Sequence, residues 1–520
     1  MKSFFDSFIK ERVEKPVVVI NFGGQYSHLI ARRVRELNVF SLIMNYSIVD
    51  KKILEEISPC AIILSGGPYS VYDEKAPRIG KWLLEQDIPV LGICYGAQLI
   101  AWLTGGHVEE GVGEYGRTKI HVIERDPLFE GWSDKYVWMS HRDYIVEVPG
   151  SKILAYSGNN YIAAYKLRDK KIYGVQFHPE VKHTVDGIRI FENFLFKIAN
   201  CRKNWFVKDL VKPLVEEIKK TVGERDRVLI AVSGGVDSTV TACLLKKAIG
   251  DRVVPVFVNH GLLREGEVEE AMENLGKIGI KPLYIDASKR FIEKIIGTRD
   301  CETRRRIIGE EYARIFKEII DRDPSIKWFA QGTTYPDIVE SGSIPYTDKI
   351  KTHHNVGGLP EWFKVNIIEP LKWFYKDEVR MIGEKLGIPK EIIKRHPFPG
   401  PGLAVRVIGE FTVKKLEIVR KASKIVEDTL RKYGFYDKVW QAFAVVGDDQ
   451  WVGVKGDKRV EGYIVTIRIV ESEDGMTADY PRIPYEVLDE IMGKITGEIP
   501  EVTMVTYAVT PKPPSTIEPC

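Results

Sequence analysis

Cysteine, net charge and long apolar runs are all scarce in this 520-residue chain, and each scarcity narrows what it can be. Six cysteines stand far apart at positions 60, 94, 201, 243, 301 and 520, with no CxxC pair and no metal-ligand spacing, a pattern that suits a reducing compartment. The balance of 76 basic against 73 acidic residues leaves +3, so no global field points to nucleic acid or to a membrane surface as partner. The opening MKSFFDSFIKERVEKP lacks an apolar stretch long enough for a signal peptide, and no run approaches a membrane span. A cytoplasmic protein of about two to four domains is expected.

What the chain does have is punctuation. Arg227 to Thr239 reads RVLIAVSGGVDST. Its apolar start is typical of a strand buried on both faces, Ser233-Gly234-Gly235 turns the chain, and Asp237-Ser238 opens a helical pattern running to Lys247. A strand, a glycine turn and a helix N-terminus make an anion site, because outward N–H groups and the helix dipole both favour negative charge. The spacing is not that of a Walker A loop. It resembles the PP-loop pyrophosphatases, SGGxDS, which split ATP into AMP and pyrophosphate. That likeness assigns Ser233, Gly234, Gly235, Val236, Asp237 and Ser238 to ATP and its pyrophosphate.

In the first 200 residues, apolar runs Val17–Ile20, Ala61–Leu64 and Pro89–Ile93 alternate with helical stretches such as Ser27–Leu37 and Pro77–Gln86. Alternation predicts a parallel sheet with helices on both faces and a site beyond the strand ends. The third run delivers Cys94 inside Gly92-Ile93-Cys94-Tyr95-Gly96, the form of a nucleophile elbow with sulfur in place of oxygen. A lone cysteine is more often a small buried residue. Gln176-Phe177-His178-Pro179-Glu180 alters the balance: two residues apart in an extended segment, His178 and Glu180 share a face, and a carboxylate beside an imidazole orients a base.

LGICYGAQ and FHPE, with the glycine loop Ser65-Gly66-Gly67-Pro68, resemble the class I glutamine amidotransferases. The resemblance implies Cys94 as nucleophile, His178 as base, Glu180 as orienter, backbone N–H groups of Gly67 and Tyr95 as oxyanion hole, and Gln98 and Asp143 at the glutamine substrate. Arg142 stands where many relatives carry a small residue.

From Arg227 the alternation restarts: strand Val253–Val258, helix Glu265–Ile278, strand Pro282–Ile285, helix Arg304–Arg322 and strand Lys327–Ala330. NHGLLR at 259–264, QGTTYPDIVES at 331–341, KTHHNVGG at 351–358 and RHPFPGPG at 395–402, in that order, resemble the GMP synthetases. Asp337 and Glu340, three apart after a strand end, suit Mg²⁺ brought with ATP, or else cap a helix or face solvent. The weakly periodic segment Ser341–Gly358 reads as a lid, with Lys351 at the phosphates. The resemblance implies XMP, ATP and glutamine as the small-molecule partners, with Arg305 on the XMP phosphate and Lys512 and Glu518 of the tail also on XMP. The last two residues, Pro519-Cys520, replace the aromatic residue and acid usual in the family.

The expected architecture is α/β: an amino-terminal extension (1–15), two doubly wound parallel-sheet domains (16–204, amidotransferase; 205–398, PP-loop synthetase) and a smaller α+β domain (399–520). The resemblance implies a homodimer through that last domain. Two other readings remain at this level. A PP-loop enzyme modifying tRNA would show a basic face or relay cysteines; a regulatory module with a degenerate glutaminase would lack an intact Cys94, His178 and Glu180.

Overall fold

In the computed structural model, residues 4–340, 362–472, 475, 478–512 and 514–520 are described. They fall into two compact units, one within residues 4–206 and one within 207–520. The architecture is α/β in both.

The first unit is built on a nine-stranded sheet in the spatial order Ser41–Asn45, Val17–Asn21, Ala61–Leu64, Val90–Ile93, Ile172–Val175, Ile162–Leu167, Ser151–Ser157, His107–Val122 and Tyr136–Glu147. The first five pair in parallel. Ala61–Leu64 and Val90–Ile93 are buried along their whole length, which is why they read as plain apolar runs. The other four strands pair antiparallel and extend the sheet as a wing. His107–Val122 alternates charged, glycine and apolar residues because much of it meets solvent. The helix expected over Pro77–Gln86 is only a short 3-10 turn, Lys81–Glu85. Gly80 weakens the helical run, and Pro89 commits the chain to the next strand.

The second unit holds a five-stranded parallel sheet, in order Leu283–Asp286, Val253–Asn259, Arg227–Ala231, Ile326–Ala330 and Asn366–Ile368. Arg227–Ala231 is central, so the chain leaves it for the helix Val236–Ile249 at the middle of the sheet edge. A second sheet follows: Gln441–Lys455 pairs antiparallel with Lys458–Val470, which pairs parallel with Val502–Tyr507. Helices Val413–Lys432 and Tyr485–Glu498 belong to this later part. One apolar core includes residues of both sheets, from Leu229 and Phe329 to Val419, Val446 and Ile467. Among the described residues, no helix is long and apolar enough to cross a membrane.

The cysteines correct the sequence reading. Four of the six are paired, Cys60 with Cys201 and Cys301 with Cys520, at Cα separations of 5.5 and 6.0 Å. The partners lie 141 and 219 residues apart, so no local motif could reveal them. Cys94 and Cys243 are free thiols.

Closing a loop of this size removes unfolded-chain entropy. Cys60→Ser should therefore lower the unfolding free energy of the first unit by on the order of 4 kcal/mol in denaturant titrations without reductant. Adding reductant to the wild type should reproduce most of that loss; a wild type indifferent to reductant would refute the assignment.

Candidate functional site

Strand Val90–Ile93 passes to helix Tyr95–Leu103 through one residue, Cys94, at φ 52° and ψ −108°. Holding a non-glycine residue there costs roughly 1–3 kcal/mol and persists only where packing enforces it. Here packing does. A Cβ on Gly92 would lie 2.6 Å from Gly96 backbone, and one on Gly96 would lie 2.4 Å from the Leu64 carbonyl oxygen. The two glycines press the helix start against the neighbouring strand and leave the thiol at the top of the turn. Its sulfur lies 3.8 Å from the Ser140 carbonyl oxygen and accepts from the Gln176 amide at 3.7 Å.

His178 follows the buried strand Ile172–Val175, and its backbone N–H donates to the Trp138 carbonyl at 3.0 Å. Nδ1 lies 2.7 Å from Glu180 Oε1, and both side chains are buried. The ring stands beside Cys94: a Cβ on Gly66 would come within 3.2 Å of its Cε1 and 3.8 Å of Cys94 Cβ. Burial pushes the imidazole towards neutrality, but the Glu180 carboxylate and the Cys94 sulfur outweigh it and raise the pKa to about 10. Glu180 Oε2 has no hydrogen-bond partner among the described residues. The Gly66-Gly67 loop closes the other side: a Cβ on Gly67 would meet the Phe22 carbonyl at 3.0 Å and the Tyr95 ring at 3.3 Å.

Gln98, one turn into the helix, donates to the Asp143 carbonyl at 2.8 Å, and the Asp143 carboxylate accepts from Arg142 Nε at 3.3 Å. A buried pair supports this segment. His141 Nε2 meets Glu114 Oε2 at 3.2 Å, its Nδ1 bonds the Asp143 carbonyl at 2.8 Å, and Asn159 donates to Glu114 Oε1 at 2.8 Å.

In the second unit, strand Arg227–Ala231 turns through Ser233-Gly234-Gly235 into helix Val236–Ile249. Gly234 sits at φ 74°, and a Cβ there would meet Ala271 Cβ at 2.8 Å and Arg395 Nη1 at 2.9 Å. Arg395 locks the turn from behind, donating to the Gly234 carbonyl at 3.0 Å and to Glu267 at 3.0 Å. The two loop hydroxyls, Ser233 and Ser238, lie 3.2 Å apart. A cavity of about 320 Å³ opens over this turn, with Lys376, Arg380, His396 and Phe398 also on its walls. A helix N-terminus facing lysine and arginine fits a polyanion. Burial raises the Asp237 carboxyl, Lys376 and Arg380 oppose that, and the charge of Asp337 adds to it. His260 and His396, also on the cavity, are driven down to about 4 by burial and stay neutral at physiological pH.

With both geometries in view, the likeness to known proteins is specific. Three family models match: "Glutamine amidotransferase class-I" over residues 18–198, "NAD synthase" over 206–306 and "GMP synthase C terminal domain" over 428–519. The glutamine-hydrolyzing GMP synthase of Pyrobaculum aerophilum is 59% identical over 97% of this chain and 99% of its own length. Those of Halothermothrix orenii and Aquifex aeolicus are 48% and 49% identical, each again over 97% of this chain and 99% of theirs. The chain belongs to the glutamine-hydrolyzing GMP synthase family.

As a GMP synthase, the chain brings Cys94, His178, Glu180, Gly67, Tyr95, Gln98 and Asp143 to one place. Ser233 to Ser238 form a single turn on the cavity. The arginine run divides. Arg304 is buried and bonds the carbonyls of Ala404 and Val407, Arg306 is exposed, and Arg305 donates to the carbonyl of Cys520. Glu518 pairs with Arg406 and Gln441. Lys512 instead turns its ammonium to the Gly475 carbonyl at 2.9 Å. Asp337 Oδ2 accepts from the backbone N–H and hydroxyl of Thr334, both at 2.8 Å, as a helix-start carboxylate does. Glu340 ends the helix Tyr335–Glu340. Lys351 and the segment proposed as a lid lie outside the described residues.

Sequence reasoning missed Gln176, Glu114 and Arg395. Gln176 and Arg395 both lay in recognised motifs but received no role.

Replacing Glu180 by Gln removes the charge that holds His178 protonated. Glutamine hydrolysis should fall by on the order of 10³–10⁴-fold. The stability consequence has a definite sign. His178 carries a raised folded pKa, so its contribution is full below its ordinary value near 6.5 and is lost as pH rises through about 10. The unfolding-temperature advantage of wild type over Glu180→Gln should shrink over that window in calorimetry. A constant gap would refute the assignment.

Proposed function

We propose that this chain makes GMP from XMP, ATP and glutamine, releasing AMP, pyrophosphate and glutamate. The observation carrying the first half is Cys94, backbone-strained at a helix start and beside a His178 that Glu180 holds charged. Cys94 attacks the glutamine side-chain amide, and His178 gives its proton to the departing ammonia. The N–H groups of Gly67 and Tyr95 hold the oxyanion, each worth on the order of 3 kcal/mol. Water then attacks the thioester, with His178 accepting its proton, and glutamate leaves. Gln98 and the Asp143 segment hold the substrate.

The second half belongs to the cavity over Ser233–Ser238. The XMP oxygen at C2 is a poor leaving group, so it takes AMP from ATP while pyrophosphate departs into the turn. Ammonia then displaces AMP and leaves GMP. The turn's N–H groups, Lys376 and Arg380 face the charge that develops on pyrophosphate. Lys351 is assigned to the same phosphates, and Arg305, Lys512 and Glu518 to XMP.

Mg²⁺ fits this cavity as a companion of ATP. Asp237 is a half-buried carboxylate pushed up by desolvation and by the Asp337 charge, a conflict that a divalent cation relieves. An ion of this kind is held mainly by phosphates and one or two carboxylates. Asp237 and Asp337 would hold it, with Glu340 as a further candidate, and it would supply charge neutralisation at the triphosphate.

The small net charge of +3 and the four cysteines tied into disulfides favour this reading over a tRNA-modifying one. Cys94→Ala should abolish GMP formation with glutamine yet retain it with ammonium salts, measured by nucleotide chromatography. Equal loss of both activities would overturn the division of labour.

A further inference from the structure

Residues 514–520 form neither helix nor strand, and chain ends of that kind ordinarily fray. These are held by five side chains from elsewhere in the unit. Cys520 is bonded to Cys301, the first residue of the helix Cys301–Arg322. One turn on, Arg305 donates to the Cys520 carbonyl. Two residues back, the Glu518 carboxylate takes both arms of the buried Arg406 guanidinium, at 3.1 and 2.9 Å, and the Gln441 amide. Arg468 donates to the Thr516 carbonyl at 3.1 Å.

Glu518 sits one residue from the cavity wall through both of its partners. Gln441 donates its amide to the Pro397 carbonyl at 3.1 Å, and Arg406 lies 5.3 Å from the centre of the Phe398 ring. Pro397 and Phe398 line the cavity over Ser233–Ser238. A continuous chain of contacts therefore runs from the terminal disulfide, through Glu518, to the wall of the nucleotide cavity.

We propose that the Cys301–Cys520 disulfide is a reducible latch that holds the tail on this wall and thereby sets the affinity of the cavity for XMP. The proposal rests on reading the cavity as the synthetase site. Cys301 and Cys520 are positioning residues: they act through Glu518, Arg406 and Gln441. The opening step is a thiol–disulfide exchange with a small dithiol. One thiolate of the dithiol attacks a protein sulfur to give a mixed disulfide, and its second thiol displaces the protein thiolate. Two electrons and two protons pass to Cys301 and Cys520, and the dithiol closes to its own disulfide. With the latch open, the tail's order rests on polar contacts alone. If the competent arrangement is then about a tenth populated, apparent affinity falls about tenfold.

The test uses full-length protein purified without reductant, with ammonium as nitrogen donor so that Cys94 plays no part. Dithiothreitol should raise KM for XMP about tenfold with a much smaller change in kcat, and should speed hydrogen exchange in residues 514–520. Cys520→Ser should show the raised KM before any reductant and no response to it. Cys60→Ser, which removes only the other disulfide, should keep the full response. Tail exchange unmoved by reductant overturns the latch. Faster tail exchange with unchanged KM overturns its link to the cavity. Faster exchange in a protein with no ammonium-dependent synthesis upholds the latch and overturns the reading of the cavity as the synthetase site.

Discussion

A parallel strand buried on both faces must hand the chain to a helix within a few residues, and the backbone there has very little room. This chain meets that constraint twice, at Cys94 and at Ser233-Gly234-Gly235, and both candidate sites stand on how it is met. At the first turn two glycines take up the crowding, so the residue between them carries the positive φ and its side chain is forced outward. At the second, glycine itself takes the positive φ, and what faces outward is the backbone of a helix start. One solution sets a buried thiol at the top of the turn; the other turns backbone N–H groups outward. The difference follows from which residue is strained.

Burial then acts on the histidines in opposite directions according to their neighbours. His178, His260 and His396 are all buried. His178 faces a carboxylate and a sulfur and is pushed up to about 10. At His260 and His396 desolvation outweighs every other influence, and both fall to about 4. The first is thus suited to exchange protons with a thiol, and the other two are suited to packing. His396 stacks on Tyr436, with ring centres 3.8 Å apart, and bonds its carbonyl.

The parts legible in the sequence were those where physics acts over a few residues. Val90–Ile93 and Arg227–Ala231 announced themselves because a strand buried on both faces leaves no polar positions. Cys94 and Ser233 announced themselves because tight turns demand glycine at fixed offsets. His178 and Glu180 were readable as a pair because two residues in extended chain share a face. The antiparallel wing was not readable: His107–Val122 is half in water, and its pairing with Tyr136–Glu147 depends on register across a loop. Nor were Glu114 with His141, or Arg395 with Gly234, since those partners lie 27 and 161 residues apart and meet only in the folded chain. The disulfides are the extreme case.

The tail shows what that blindness conceals. Pro519-Cys520 reads in the sequence as a departure from the family ending, and a departure at a chain terminus invites dismissal. In the folded unit, Cys520 is joined to the helix that carries Arg305, and Glu518 two residues earlier joins Arg406 and Gln441. A segment with neither helix nor strand gains order from one covalent anchor. Here residue 520 is held by a covalent bond, one whose closure depends on the thiol chemistry around it.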